Sequence, residues 1–314
     1  MSLNGLSLSR LFFEASLPVL REHIPDVMAH AAAGLVGEGS ECLGLDDDIS
    51  RDHDWGPCFC LWIPDDMFRS ELDRIEHALA ALPDTFQGYP TRMDRNRRMG
   101  RVGPLPVTGF YRRFLGMDHV PGTWREWMSI LEYHLCSCTN GAVFMDEEGQ
   151  FSSIRKALLG YYPEDVRRKK IAARCMIMAQ AGQYNLPRCL QRENFVAAML
   201  AAARFAEAAL SMTFLLNRRF MPFYKWAGRV CEELPVLGRD TVATLNILSR
   251  TAWDSTEQGM KAIDAVEHLC TLVSMELRDQ ALCSVQGNWL WEAGPAVQMG
   301  VKEPELRHRN VMED

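Results

Sequence analysis

GLVGEGSECLGLDDDISRDHDWG, residues 34–56, sets a glycine-rich turn beside a crowd of acids. Seven of its 23 positions are Glu38, Glu41, Asp46, Asp47, Asp48, Asp52 and Asp54, and Arg51 alone opposes them. Carboxylates this close repel one another unless positive charge sits among them. Asp52 and Asp54 are separated by one residue, and on a strand that spacing puts both side chains on one face. A pair of oxygen donors suits Mg²⁺, which takes one or two carboxylates together with the phosphates of a substrate. Gly39 and Ser40 come earlier, with 11 residues between Ser40 and Asp52. Gly39 lacks a Cβ, so its backbone can approach a phosphate closely, and Ser40 can donate through both its N–H and its hydroxyl. A phosphate cradle followed by a metal clamp is what metal-assisted phosphoryl or nucleotidyl transfer requires. Asp46–Asp48 read as surface or capping acids between the two. The plain alternative for Asp52 and Asp54 is a strand end with its charges in water.

Outward from this stretch, the pattern predicts α+β organisation in two domains, 1–150 and 151–314. Residues 8–32 read as helix, broken or reset near Pro18 and Pro25. The GLVGEGS segment reads as a short strand ending in a glycine turn, and HDWGPCFCLWIP, 53–64, as a second strand. DDMFRSELDRIEHALAALP, 65–83, is helical, with Asp65 or Asp66 as its cap. A short strand is expected within 104–116. A helix is expected over 123–139, with Thr123 and Glu126 spaced as a capping box. GAVFMDEEG, 141–149, reads as a strand and turn. Beyond residue 150 helical periodicity dominates, over 152–160, 163–181, 192–220, 222–235, 238–253 and 255–284. The polar tail EPELRHRNVMED is expected to fray.

The 314 residues are 47% hydrophobic and carry a formal net charge of −7. That balance argues against a general nucleic-acid binder. Two basic runs, RMDRNRR at 92–98 and RRKK at 167–170, read as solvated faces. The ten cysteines form no CxxC pair, so a structural zinc site is not expected, and several sit in apolar runs as small buried hydrophobes. Their use fits a reducing cytoplasm. MSLNGLSLSRLFFEASLPVL lacks the basic start and apolar core of a signal peptide. FVAAMLAAARFAEAALSMTFLL, 195–216, is long enough to span a bilayer, but Arg204 and Glu207 in its middle favour a buried core helix and no membrane partner. No GxxxxGK[ST] or GxSxG occurs, which disfavours a P-loop ATPase and a serine hydrolase.

VGEGSECLGLDDDISRDHDWG resembles the signature of the nucleotidyltransferase superfamily related to DNA polymerase β. That signature is a hydrophobic residue, Gly, Gly or Ser, about ten residues, then Asp-x-Asp or Asp-x-Glu. GEGSECLGLDDDISRDHDWG, YYPEDVRRKK, GQYNLPRCLQREN and NRRFMPFYKW together resemble one family in it, DUF4037, across most of the chain. The resemblance implies an architecture like the antibiotic nucleotidyltransferases: a small mixed sheet carrying the Gly-Ser loop and acids, followed by an all-helical bundle. By motif, Gly39 and Ser40 would hold the triphosphate, and Asp52 and Asp54 would bind Mg²⁺, two ions in all. His53 replaces the usual apolar residue between the acids. The superfamily adds a third carboxylate from a later strand, as metal ligand or general base. PVTGFYRRF, where it would be expected, has none, and Asp146 is the nearest candidate.

In the helical half, Lys170 could reach a phosphate. Tyr224 and Lys225 could stack on a base and neutralise triphosphate charge. Equally, Tyr224 and Trp226 could be core residues flanking a surface lysine. Asn185, Arg188 and Arg192 read as a tie between helices. The function these readings imply is Mg²⁺-dependent transfer of a nucleoside monophosphate, AMP from ATP, to an acceptor hydroxyl. The net charge favours a small-molecule or protein acceptor over RNA. The alternative is a nucleotide-binding or interaction protein on the same fold, without turnover.

Overall fold

The computed structural model describes residues 4–51 and 55–314 and is an α+β protein of two compact units. The first comprises Met1–Pro121 with Tyr133–Gly160; the second comprises Gly122–Glu132 with Tyr161–Asp314. The sequence-based cut at 150 therefore differs from this division, in which the chain leaves the first unit for eleven residues and returns.

In the first unit, α1 (Gly5–His23) and α2 (Pro25–His30) precede strand β1 (Ala32–Leu35). The chain resets at Pro25, which occupies the first turn of α2, but α1 runs straight through Pro18. Pro18 and Glu14, whose carbonyl loses its partner, both lie on the exposed face, while Phe12, Phe13, Ser16 and Leu20 pin the other face to the core. Next come β2 (Cys60–Ile63), α3 (Asp65–Ala80), and a small hairpin of β3 (Thr85–Phe86) and β4 (Tyr89–Pro90). β5 (Gly103–Pro106) leads directly into α4 (Val107–Leu115). The short strand expected within 104–116 is thus β5, and the rest of that segment, where PVTGFYRRF was expected to be strand, is helix. Val107, Phe110, Tyr111, Phe114 and Leu115 recur at helical spacing and bury one face. Asp65 does not cap α3; its carboxylate accepts from the Thr108 N–H and hydroxyl at the start of α4.

The 123–139 helix is two helices. α5 (Trp124–Ser129) carries the Thr123–Glu126 capping box and belongs to the second unit. α6 (Glu132–Thr139) leads into β6 (Ala142–Asp146) and α7 (Gln150–Leu159), which complete the first unit. The sheet order is β5-β2-β1-β6; β1 is antiparallel to β2 and β6, and β2 is parallel to β5. Phe59 packs against Phe12 and Phe13 of α1 on one face, and Trp62 stacks on Phe151 at 3.7 Å on the other. With both faces covered, every residue of β1 and β2 is buried.

The regular elements of the second unit after α5 are all helical among the described residues: α8 (Glu164–Met178), a π-helical stretch (Ala179–Asn185), α9 (Leu186–Gln191), α10 (Phe195–Leu216), α11 (Tyr224–Glu232), α12 (Gly238–Arg250), α13 (Thr256–Asp279), α14 (Leu290–Met299) and α15 (Pro304–His308). α10 is long and apolar enough to cross a membrane by length and composition. Here it packs on α8, α9, α11 and α12, with Arg204 and Glu207 on its exposed side.

Both basic runs depart from the solvated faces expected of them. Arg92 and Arg98 are buried in the first unit, and Arg167, Lys169 and Lys170 in the second. Each has found a carboxylate or carbonyl partner that repays its lost hydration. The tail is likewise not frayed: α15 forms, and three carbonyls beyond it accept from Lys169.

Candidate functional site

The sheet register decides what can meet what. β1 ends at Leu35, opposite Ala142 at the start of β6, and Gly34 faces Cys60 at the start of β2. Cys60 in turn faces Gly103 at the start of β5. The end of β1 and the beginnings of three strands therefore share one edge of the sheet. The glycine-rich loop leaves β1 there. Gly34 itself must be glycine, since a Cβ would lie 2.4 Å from the Ala142 carbonyl oxygen where the β1–β6 register shifts.

The loop is held by the turn before β6. Asn140 closes a two-bond clamp on Gly37, accepting from its N–H at 3.0 Å and donating to its carbonyl at 2.8 Å. The Gly141 N–H donates to Cys42 O at 2.9 Å. Arg155 of α7 holds the clamp from behind, donating to Thr139 O and Asn140 O. Gly37 and Gly39 both adopt φ of +136°, a region L side chains rarely enter. Ser40 is buried and opens a 3-10 turn over Glu41–Leu43, with its carbonyl accepting from Leu43 and Leu45.

Arginines surround this loop. Arg113 of α4 pairs with Glu38 at 2.6 Å and also donates to Gly100 O; Arg101 pairs with Glu38 at 3.3 Å. Arg92 lies 3.5 Å from the carboxylate of Glu41, with both side chains buried. Burial pushes the Glu41 carboxyl above its ordinary range, against the pull of Arg92. Asp46 ties the loop to α1 by accepting from the Gly5 N–H at 2.7 Å and from the Trp55 indole at 3.1 Å. Its other oxygen, Oδ1, is buried without a hydrogen-bond partner. Asp47 caps its own turn through Ser50, and Asp48 pairs with Arg51 at the surface. Arg51 lies over the rings of Trp55 and Tyr89.

Asp52, His53 and Asp54 lie outside the described residues. Their flanking residues Arg51 and Trp55 are placed beside the loop's own acid Asp46 and the β3–β4 hairpin, and Cys60 begins β2 six positions after Asp54. Asp146 is at the other edge of the sheet. It pairs with Ala32, at the start of β1, so the length of the strand, about 10 Å at ~3.3 Å per residue, separates it from the glycine loop. Its carboxylate caps α7, accepting from the Ser152 N–H at 2.7 Å. The antiparallel register therefore sets Asp146 at the opposite end of β1 from the glycine loop.

The remaining candidates lie in the second unit. Lys170 is on α8, 3% exposed, and donates to Asp314 at 3.1 Å. Tyr224 and Lys225 open α11, which packs on α10 and α12. Tyr224 is 74% exposed and so is not a core residue; Lys225 lies over the Trp226 ring at 5.0 Å. Arg188 folds back onto Tyr184 one turn before it. No group of three or more His, Cys, Asp or Glu is arranged for a metal among the described residues.

Sequence reasoning missed Arg92, Arg101, Arg113 and Asn140. The signal for Arg101 was its place two residues before a strand that starts at the loop's edge. For Asn140 and Arg92 no local pattern exists, because their partners lie 103 and 51 residues away.

No curated protein and no solved structure matches the chain. Residues 127–227 match the family model described as Domain of unknown function (DUF4037). That match contains YYPEDVRRKK, GQYNLPRCLQREN and NRRFMPFYKW, while the glycine loop lies upstream of it. Over residues 127–227, about a third of its length, the chain is similar to the DUF4037 family.

Proposed function

We propose that the first unit has a nucleotidyltransferase fold and that the protein transfers a nucleoside monophosphate, AMP from ATP, to an acceptor hydroxyl with Mg²⁺. The observation that carries this reading is the Gly37–Ser40 loop at the end of β1, with two glycines in conformations that keep the backbone bare, Ser40 starting a turn, and Arg101 and Arg113 beside it. Such a loop accepts phosphate oxygens through backbone N–H groups, and the arginines complement their charge. Asp52 and Asp54 would hold Mg²⁺. The unpaired Asp46 Oδ1 is a further hard oxygen donor of the kind that cation takes, in the turn that also holds Trp55. When bound, the metal supplies charge neutralisation for the triphosphate. The chain's own part is to seat the phosphates on the loop and to align the acceptor hydroxyl behind the α-phosphate for in-line attack, with pyrophosphate leaving.

A second reading has its own observation. Asp146 is spent on α7 at the opposite edge of the sheet, so the candidate for deprotonating the acceptor is not at the loop. A protein that binds nucleotide without transferring it would fit that arrangement. Calorimetric titration of ATP, GTP, CTP and UTP with Mg²⁺, into the native chain and into Asp52→Asn/Asp54→Asn, tests both. The expected result is metal-dependent binding lost in the double variant, with pyrophosphate released once an acceptor is supplied. Binding without release across an acceptor screen would select the second reading, and no binding to the folded native chain would reject both.

A further inference from the structure

The second unit holds a buried cluster of cations that includes Lys170, and the nucleotidyl-transfer reading accounts for none of its other members. Lys169, Lys170 and Arg174 of α8 all meet the segment Asn310–Asp314, and the pocket it fills is theirs. Lys169 is 0% exposed, and its ammonium donates to three backbone carbonyls: Asn310 at 2.8 Å, Val311 at 3.1 Å and Glu313 at 2.5 Å. Lys170 and Arg174, one turn apart, both grip the side chain of Asp314. Arg174 also reaches Ser211 at 2.7 Å and Glu132 at 3.4 Å, and Ser211 in turn donates to Glu132. The ring of Tyr162 lies 5.6 Å from the Lys170 ammonium, and its hydroxyl is buried without a hydrogen-bond partner.

Two of the three cations, Lys170 and Arg174, thus meet two carboxylates, Glu132 and Asp314. The most deeply buried of the three touches no carboxylate, only carbonyl oxygens. Burial lowers the Lys169 ammonium to about 8, with Asp314 and Glu313 opposing that fall. Burial also works against the Arg174 charge, and Glu132 and Asp314 more than offset it. Lys169 is left without a contacting carboxylate, and the Tyr162 hydroxyl without a hydrogen-bond partner. A group with several anionic oxygens would serve this set better than one carboxylate and three carbonyls: an ammonium meets phosphate as a point charge, a guanidinium in bidentate fashion. The pocket-forming residues Glu132, Tyr162, Lys169, Lys170, Arg174 and Ser211 all lie inside the 127–227 family segment, whereas the occupant lies far outside it. The occupying stretch Asn310–Asp314 has no helix or strand of its own.

We propose that this pocket is a binding site for a phosphate-bearing anion and that Asn310–Asp314 is its resident competitor, with Asp314 standing in for one phosphate group. The segment is tethered, so it competes at high effective concentration and an external anion must displace it. Access to the pocket is therefore regulated by release of the segment. The proposal does not rest on the glycine loop or on nucleotidyl transfer.

The test uses the full chain carrying Asp52→Asn/Asp54→Asn, which removes the metal clamp of the other candidate site. Sodium pyrophosphate is titrated calorimetrically without divalent metal, with and without the further change Asp314→Asn. Removing the competing charge is expected to tighten pyrophosphate binding at least ten-fold, and adding Lys170→Gln to that chain is expected to abolish it. ATP in place of pyrophosphate separates the sources. Equal affinity points to phosphate alone, and a ten-fold gain to a nucleotide. In parallel, hydrogen exchange of amides 310–314 is followed in the unsubstituted chain, where faster exchange at millimolar pyrophosphate is expected. A folded Asp314→Asn chain that binds no pyrophosphate would overturn the proposal and leave the segment a structural clasp. If Asp314→Asn unfolds, the exchange measurement decides alone: unchanged protection of 310–314 rejects displacement.

Discussion

Gly39 shows how much of the loop rests on single side chains. Its φ of +136° is strained for any residue with a Cβ, and a Cβ there would lie 2.6 Å from a Glu41 carboxylate oxygen. That carboxylate has little room to yield, being buried against Arg92. Gly39→Ala is therefore expected to destabilise the protein by about 2 kcal/mol through backbone strain alone, read as a lower urea midpoint with unchanged slope. An unchanged midpoint would mean that the loop re-forms without this conformation. The same variant is expected to weaken any nucleotide binding at the loop, because the backbone N–H groups would lose the orientation that this φ gives them.

At the level of elements, the π-helical stretch Ala179–Asn185 has an identifiable cause. The extra residue per turn places Gln183 where its amide meets three groups at once. It donates to Glu267 at 2.8 Å and to Asn288 O at 3.0 Å, and it accepts from the Leu290 N–H at 3.1 Å, at the start of α14. One side chain thus fixes α13 and α14 to the π-helical turn. Gln183→Leu keeps the volume and removes all three bonds, orphaning a buried N–H. A loss of about 2 kcal/mol follows from the cost of a buried unsatisfied group, visible as a lower melting temperature. Gln183→Glu is expected to be no better, since it brings a second carboxylate against Glu267.

Across the whole molecule, burial sets the response to alkaline pH. Seven thiols, Cys42, Cys58, Cys60, Cys138, Cys175, Cys231 and Cys270, are pushed by burial above the ordinary value near 9, to about 11 for Cys58 and about 12 for Cys60, Cys138 and Cys231. Above pH 9 the unfolded chain releases these protons while the folded chain keeps them, so the stability they contribute is lost as pH rises. Lys169 works the other way between about 8 and 10.5, because its folded form deprotonates first. Tyr111, Tyr161 and Tyr162, which burial pushes up from near 10, act with the thiols, so ten groups against one decide the sign. Denaturant-unfolding stability is expected to fall steadily from pH 9 to 11, and a flat profile over that range would contradict the burial of these thiols.

The sequence by itself determined the elements whose causes are local. The Thr123–Glu126 capping box, the strand running into the glycine turn, the start of α2 at Pro25 and the helical texture after residue 150 all follow from backbone sterics and side-chain periodicity within a few residues. Only the tertiary structure decided the fate of the charges. In RRKK, Lys169 and Lys170 are buried while their neighbour Arg168 stays partly exposed, because carbonyls and a carboxylate more than 140 residues away arrive to meet them. Asp146 was legible as a strand acid. The edge of the sheet it occupies was not, because an antiparallel register depends on which strand lies alongside. Periodicity reports which side of an element faces the core. Ion pairing and register report what stands on the other side, and that is set by contacts between segments far apart in the chain.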